Sequence, residues 1–468
     1  MENKAGQVLL FTLLVFFTLI IISLADDFFH LDEKSVGNIN LISDIIKTKE
    51  DKTQKDTSIL PLSKAVIREN TGKVDSVSAP RNFELFSQPL LINEFRSDSS
   101  YPSLLISMKK LHALKRTGKG KFRIAYFGDS MIEGDLLTQT IRKLLQAEFG
   151  GKGVGFVPVY SPVSKFRQTA SVTSSGGWAD ENFKSKTNTR LYLSGHAYFG
   201  SPKDFIYVKD NTIRDFRGNT SKSILYGVTS SSLSLAVNKE YINIPSGGVF
   251  NKAILKNDNN KDIAISNFSN ALPIFGVTIE SEDGVVLDNF SFRGITGIEL
   301  KNLDTAFLKE VSLRNHYDLV VFQYGVNMLY RPQDKEFDWY KRAFDPVIKK
   351  FRKCFADAEL LIVSSADRAF RYENGYESAV GMEPLVEMQA GMAYDNQIAF
   401  YNQFQSMGGR NAIVRWADSS IALANKDYIH PNHRGAEKLG ELFFLAFMKE
   451  YKKAEKFFKE KSTTDAHR

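Results

Sequence analysis

Three residues in this 468-residue chain have the types and surroundings that nucleophilic catalysis needs. Ser130 closes the stretch FRIAYFGDS, where an apolar run stops abruptly at Gly128 and Asp129. A serine hydroxyl is a weak nucleophile until a general base takes its proton. The chain has 7 histidines to supply that base. His30 and His467 lie in terminal polar segments, His112 in a helical stretch, His196 in a β-rich stretch and His316 just ahead of a strand. His430 and His433 remain, in NKDYIHPNHRG, and Asp427 stands three residues before His430. An Asp-x-x-His turn can bring a carboxylate against one imidazole nitrogen and leave the other for the serine.

Acyl transfer also needs donors aimed at the oxygen that becomes negative. Two glycine-marked turns offer them. Asn327, in Gly325-Val326-Asn327, has a side-chain amide at the end of the run VVFQY. Gly297, in RGITG, offers a backbone N–H in a tight turn. The Ser130 N–H is a third donor. Other chemistries compete for the same residues. Asp129 and Asp135 flank the serine like a glycosidase carboxylate pair; a turn-shaping role for Asp129 and a helix cap for Asp135 explain them more simply. Asp427, His430 and His433 resemble metal ligands, but no further His or Cys cluster accompanies them. Each motif alone is weak, and the case rests on their order and their common strand-end setting.

The elements around them fit that setting. FRIAYF is a short apolar run suited to a buried parallel strand, and LLTQTIRKLLQAEF after it has apolar residues at helical spacing. Ser130 therefore sits at a strand-to-helix junction. Before it, PSLLISMKKLHALKR reads as an amphipathic helix. From 159 to 288 the chain turns to short alternating runs separated by turn residues, the pattern of an all-β sandwich. From 289 to 455 the alternation returns: DLVVFQYG, AELLIVSS and IAFYN as strands, with EFDWYKRAFDPVIKKFRK, EPLVEMQAGMAYDNQ and RGAEKLGELFFLAFMKEYKK as helices. Strand–helix alternation implies a parallel sheet covered on both faces, so the fold class is three-layer α/β/α, in two parts (81–158 and 289–455), with an inserted β-sandwich. Reactive groups of such sheets gather at the carboxyl ends of the strands, where Ser130 and Asn327 both fall.

The remaining segments bear on location and partners. Val8–Ala25 is apolar and uncharged, with Ser23 and Ala25 suited to a cleavage site, so residues 1–25 read as a membrane anchor or a signal peptide and the rest as extracytoplasmic. Residues 26–80 read as a polar tether and 456–468 as a polar tail. The net charge is +7, from 61 Lys+Arg against 54 Asp+Glu, without a block dense enough for nucleic-acid binding. Cys354 is the single cysteine, so no intramolecular disulfide exists and the residue reads as a small apolar one.

The four blocks together resemble the SGNH/GDSL hydrolase superfamily: Ser130 in Gly-Asp-Ser, Gly297 in the second, Asn327 in Gly-x-Asn, and Asp427 with His430 in the last. Two departures stand out. The serine block reads Gly-Asp-Ser-Met, and Met328 follows Asn327 where many members have Asp. The inserted β module, GDSMIEGDLLT, LQAEFGGKGVGF and MGGRNAIVRW resemble envelope members similar to peptidoglycan O-acetylesterases. The resemblance implies a flavodoxin-like SGNH fold, a carbohydrate-binding sandwich, removal of O-acetyl groups from a glycan, a Ser130–His430–Asp427 triad, an oxyanion hole of Ser130, Gly297 and Asn327, and no cofactor. Two alternatives stay open: an O-acetyltransferase using the same triad, and a non-catalytic glycan-binding protein.

Overall fold

The computed structural model describes residues 80–466 apart from 215, 216 and 230. The expected anchor and tether therefore lie outside the described residues. Among the described residues no helix is long and apolar enough to cross a membrane.

A six-stranded sheet organises the α/β part. In chain order its strands are β1 (Ile92–Asn93), β2 (Lys121–Gly128), β3 (Gly284–Ser291), β4 (Leu319–Gln323), β5 (Glu359–Val363) and β6 (Ala399–Tyr401), and in space they run β1-β6-β5-β4-β2-β3. All neighbours are parallel except β1 on β6. β2 shows why the apolar run is continuous. Phe122, Ile124 and Tyr126 face a core with Met108, Ile141, Leu145, Phe443 and Phe447. Ala125 and Phe127 face the opposite core, with Phe307, Phe344, Val347, Phe351 and Leu385. Side chains alternate faces along a strand, so a strand covered on both sides is apolar at nearly every position, and Arg123 is the buried exception. The first face is covered by helices α1 (Leu105–Thr117), α2 (Thr138–Phe149) and α6 (His433–Ala466), the second by α3 (Thr305–Arg314), α4 (Asp338–Cys354) and α5 (Met382–Asp395).

Between β2 and β3 the chain builds two antiparallel sheets. One has five strands, including Phe205–Asp210 and Asp262–Ser266; the other has six, including Ala179–Asn182, His196–Phe199, Thr220–Tyr226 and Ile274–Glu280. Ile206, Val208, Ile263 and Ile265 of the first share a core with Ile224, Ile274, Val277 and Ile279 of the second, which makes the module a sandwich.

The seams differ from the sequence reading. Gly155–Val157 already pairs with Ile274–Glu280 inside the module, and Gly284–Ser291 pairs along its whole length with β2. Asp288 and Asn289 disguise β3 as a module strand. Asp288 is fully buried because it accepts from Arg123 Nη1 at 3.0 Å, the Tyr317 hydroxyl at 2.8 Å and the Phe156 N–H at 2.8 Å. Arg123 also pairs with Glu280 at 2.6 Å, so a buried charge cluster bridges the sheet and the module. Arg123, Lys252 and Lys121 outweigh burial and hold the Glu280 carboxyl well below its usual range. Beside this cluster, Tyr192 and Phe275 of the module pack with Phe290 and Phe307 of the α/β part.

At the C-terminus, the residues read as a polar tail from 456 continue α6 as far as Ala466. Phe457 packs on Tyr101 at 5.2 Å and Phe458 on His112 at 5.9 Å, which anchors this last stretch.

Candidate active site

Ser130 follows the carboxyl end of β2, where the chain must turn out of the sheet. Gly128 is needed there: a Cβ would lie 2.8 Å from the Ile132 side chain and 3.0 Å from the Gln323 carbonyl. Asp129 shapes the turn by accepting the Met131 N–H at 2.9 Å. Its carboxyl is 1% exposed, and burial pushes its pKa up to about 7.

The base comes from the segment just before α6. His430 Nε2 lies 3.0 Å from Ser130 Oγ, and His430 Nδ1 lies 2.8 Å from Asp427 Oδ2. Ionised Asp427 can only accept, so the imidazole proton sits on Nδ1 and Nε2 accepts the serine proton. The other Asp427 oxygen accepts the Ile429 and His430 N–H groups at 2.9 and 3.0 Å. Burial pushes the Asp427 carboxyl up, but these backbone bonds and the imidazole outweigh it and hold the group below its ordinary value.

The turn carrying this pair is braced from several sides. Tyr428 adopts a left-handed φ of 55°, unusual for a side chain of its size. Its ring stacks on Tyr376 at 3.9 Å, its hydroxyl donates to Asp418 at 3.0 Å, and its carbonyl accepts the Ala369 N–H at 2.9 Å. Such strain persists where the surroundings over-determine it, and it tends to mark functional sites.

The two glycine-marked turns meet beside the serine. Asn327 Nδ2 donates to Asp129 Oδ2 at 3.1 Å and to the Ile295 carbonyl at 2.9 Å. Asn327 therefore ties the serine turn to the turn that holds Gly297. Both its amide hydrogens are engaged, so a contact with an oxyanion requires one of these bonds to be exchanged. Gly297 has φ of 88°, and a Cβ there would lie 2.6 Å from the Tyr324 ring. The Ser130 and Gly297 N–H groups have no acceptor among the described residues, as oxyanion donors require.

The structure thus links Ser130, His430 and Asp427 by hydrogen bonds, and ties Asn327 to Asp129 next to the serine and to Ile295 in the turn that holds Gly297. Asp135 differs from its expected role as a helix cap. Its carboxylate is buried and bidentate on Arg142, at 2.6 and 2.9 Å. Burial would raise its pKa, but Arg142 and Arg167 lower it to about 2. The N-cap of α2 is Leu137.

Sequence reasoning missed Arg368, which follows β5 at the same sheet edge. Its Nη1 donates to the Val326 carbonyl at 2.7 Å, directly before Asn327, and its Nε is buried without a partner. Burial lowers its pKa against the raising effect of Asp427. Its position just past AELLIVSS was the available signal.

The fold is a three-layer α/β/α sheet with an inserted β-sandwich, and a serine, a histidine and an aspartate meet at its edge. A solved structure described as a peptidoglycan O-acetylesterase in action shares this fold, at TM-score 0.63 and 20% identity over 78% of this chain and 99% of that one. An acetyl xylan esterase, AlAXEase, matches at TM-score 0.29 and 16% identity over 35% and 82% of the two chains. A family two carbohydrate esterase from Cellvibrio japonicus matches at TM-score 0.26 and 9% identity over 61% and 99%. These last two superpose too loosely to bear on this chain. No family model matches the sequence, and no curated protein matches it either.

Proposed function

We propose that the chain is a serine esterase that removes O-acetyl groups from a cell-envelope polysaccharide of the peptidoglycan kind. The observation that carries the reading is the Ser130–His430–Asp427 relay, with steps of 3.0 and 2.8 Å. The fold shared with a peptidoglycan O-acetylesterase supports the substrate class.

In this reading Ser130 Oγ attacks the acetyl carbonyl as its proton passes to His430 Nε2. Asp427 stabilises the imidazolium. The oxyanion is met by the Ser130 and Gly297 N–H groups and by Asn327 once it releases one of its present acceptors. His430 then gives the proton to the departing sugar oxygen, leaving an acetyl-enzyme. Water attacks that ester, His430 takes the water proton, and the proton returns to Ser130 as acetate leaves. The Val8–Ala25 run would place this activity outside the cytoplasm.

The test is acetate release from O-acetylated peptidoglycan, set against O-acetylated xylan, by the full chain and by Ser130→Ala. Preference for the first substrate and loss of release in the variant are expected. Release retained by Ser130→Ala overturns the mechanism; preference for xylan overturns the substrate class.

A further inference from the structure

A cavity of about 260 Å³ lies between the α/β part and the β module, and neither Ser130 nor His430 lines it. Two of its walls are nevertheless joined to the serine turn. Glu133, three residues beyond Ser130, lines it, as does Phe292, whose N–H donates to the Gly128 carbonyl at 3.0 Å. The opposite wall belongs to the module, with Lys184, Ser194 and His196.

The polar groups of that wall are prepared but unused. His196 Nδ1 lies 2.8 Å from Asp180 Oδ1, and Asp180 Oδ2 accepts from Asn182 Nδ2 at 3.0 Å. The imidazole also stacks on Phe292 at 4.8 Å and Tyr198 at 5.4 Å. It is thus fixed in orientation, and its Nε2 has no partner among the described residues. Ser194 is 4% exposed, lines the cavity, and has a buried hydroxyl without a partner. A buried hydroxyl left unpaired destabilises a fold, so its retention calls for a reason.

One cation of the lining stands apart from the ion pairs. Arg293 pairs with Glu133 at 2.5 Å, and Asp135 is matched by Arg142 and Arg167. Asp180 is held by contacts to His196 Nδ1 and Asn182 Nδ2. Lys184 is exposed, sits 5.7 Å from the Phe292 ring centroid, and has no carboxylate partner among the described residues. Tyr160, half exposed, adds an aromatic ring to the lining.

We propose that this cavity is a subsite for one acidic sugar ring of the glycan. Its carboxylate pairs with Lys184, its polar substituents meet Ser194 and His196 Nε2, and its C–H face lies on Tyr160. The volume is just under the roughly 300 Å³ at which drug-sized ligand sites begin, which suits one ring better than several. The position, on backbone shared with Ser130, suits a ring of the same chain that carries the ester. The inference rests on the esterase reading and adds the charge of the sugar it selects.

The test uses the full chain carrying Ser130→Ala, titrated by calorimetry or NMR with N-acetylmuramic acid and N-acetylglucosamine. These differ by a carboxylate-bearing ether. The carboxylate probe is expected to bind about tenfold tighter, the effect of one charge-assisted contact. Lys184→Met in that background should abolish the preference, and Ser194→Val should weaken both probes. Equal binding of the two sugars, or a preference that survives Lys184→Met, overturns the subsite. Kinetics on the otherwise unaltered chain separate this from the esterase reading. In Lys184→Met, kcat/KM on O-acetylated glycan strands freed of their stem peptides, whose ring carboxylates are ionised, taken relative to kcat/KM on p-nitrophenyl acetate by the same variant, should fall about tenfold through KM. An unchanged ratio overturns the subsite alone; acetate release by Ser130→Ala overturns the esterase reading.

Discussion

Two histidines in this protein each hold an aspartate on Nδ1 at 2.8 Å, and only one of them faces a serine. His430 and Asp427 lie within one tight turn and present Nε2 to Ser130 at 3.0 Å. His196 and Asp180 lie on neighbouring strands of the module, and the imidazole is clamped between aromatic rings beside a cavity. The comparison teaches that a carboxylate on imidazole is a positioning device. Whether the pair does acid–base chemistry or binds depends on what its free nitrogen meets.

The largest separation between the pairs comes from removing each imidazole. His430→Ala should lower acetate release about 10⁴-fold or more, mainly in kcat, as loss of a triad base does. His196→Ala should lower kcat/KM on glycan by about tenfold at most, through KM. Similar losses in both would erase the distinction. Asp427→Asn comes next, with a drop of about 10²- to 10⁴-fold from loss of the productive tautomer.

Asn327→Ala should cost about 10²-fold in kcat if its amide turns to the oxyanion, and much less if it only links Asp129 to Ile295. Measuring kcat on a small acetyl ester decides between these, because such an ester needs the oxyanion site and little else.

The smallest effect concerns stability. Asp129 has a pKa of about 7 in the folded protein, against about 4 for an unfolded carboxyl. The folded state binds more protons in that window, so this group's contribution falls as pH rises from about 4 to about 7. Asp129→Asn removes the titration. Urea unfolding between pH 5 and 6.5 should show the parent losing about 1 kcal/mol per pH unit more than the variant. Parallel slopes would mean that Asp129 is ionised throughout.

Much of this was legible in the sequence, for reasons that differ between elements. FRIAYF reads as a buried parallel strand because, Arg123 apart, both its faces are apolar. Ser130, Asp427, His430 and Asn327 stand in short motifs whose residue types already imply their chemistry, and the structure brings all four together. β3 is hidden because Asp288 and Asn289 are polar, and the partners that make them burial-compatible, Arg123 and Tyr317 for Asp288 and Ile132 and Thr138 for Asn289, are far away in sequence. Asp135 differs: its partner Arg142 is only seven residues away, but the spacing alone does not show that both become buried when α2 packs against the sheet. The cavity could not be read at all, since Ser194 and His196 carry no motif and matter only through what the fold sets opposite them. Charge pairing and cavity shape are properties of the assembled chain.

The cluster of Arg123, Glu280 and Asp288 also limits how this architecture can be taken apart. A sandwich threaded between two strands looks like an accessory that could be exchanged for another. Yet Glu280 is a module residue pairing with an arginine of β2 in the six-stranded sheet, at 2.6 Å and nearly out of reach of water. Excising the module would leave that buried guanidinium with Asp288 as its carboxylate partner and break the rest of the buried ion-pair cluster, a destabilising change. A graft that changes the glycan preference must therefore keep an acid at this position. Natural variation in the module is expected to drift at its rim and cavity while this buried ion pair stays in place.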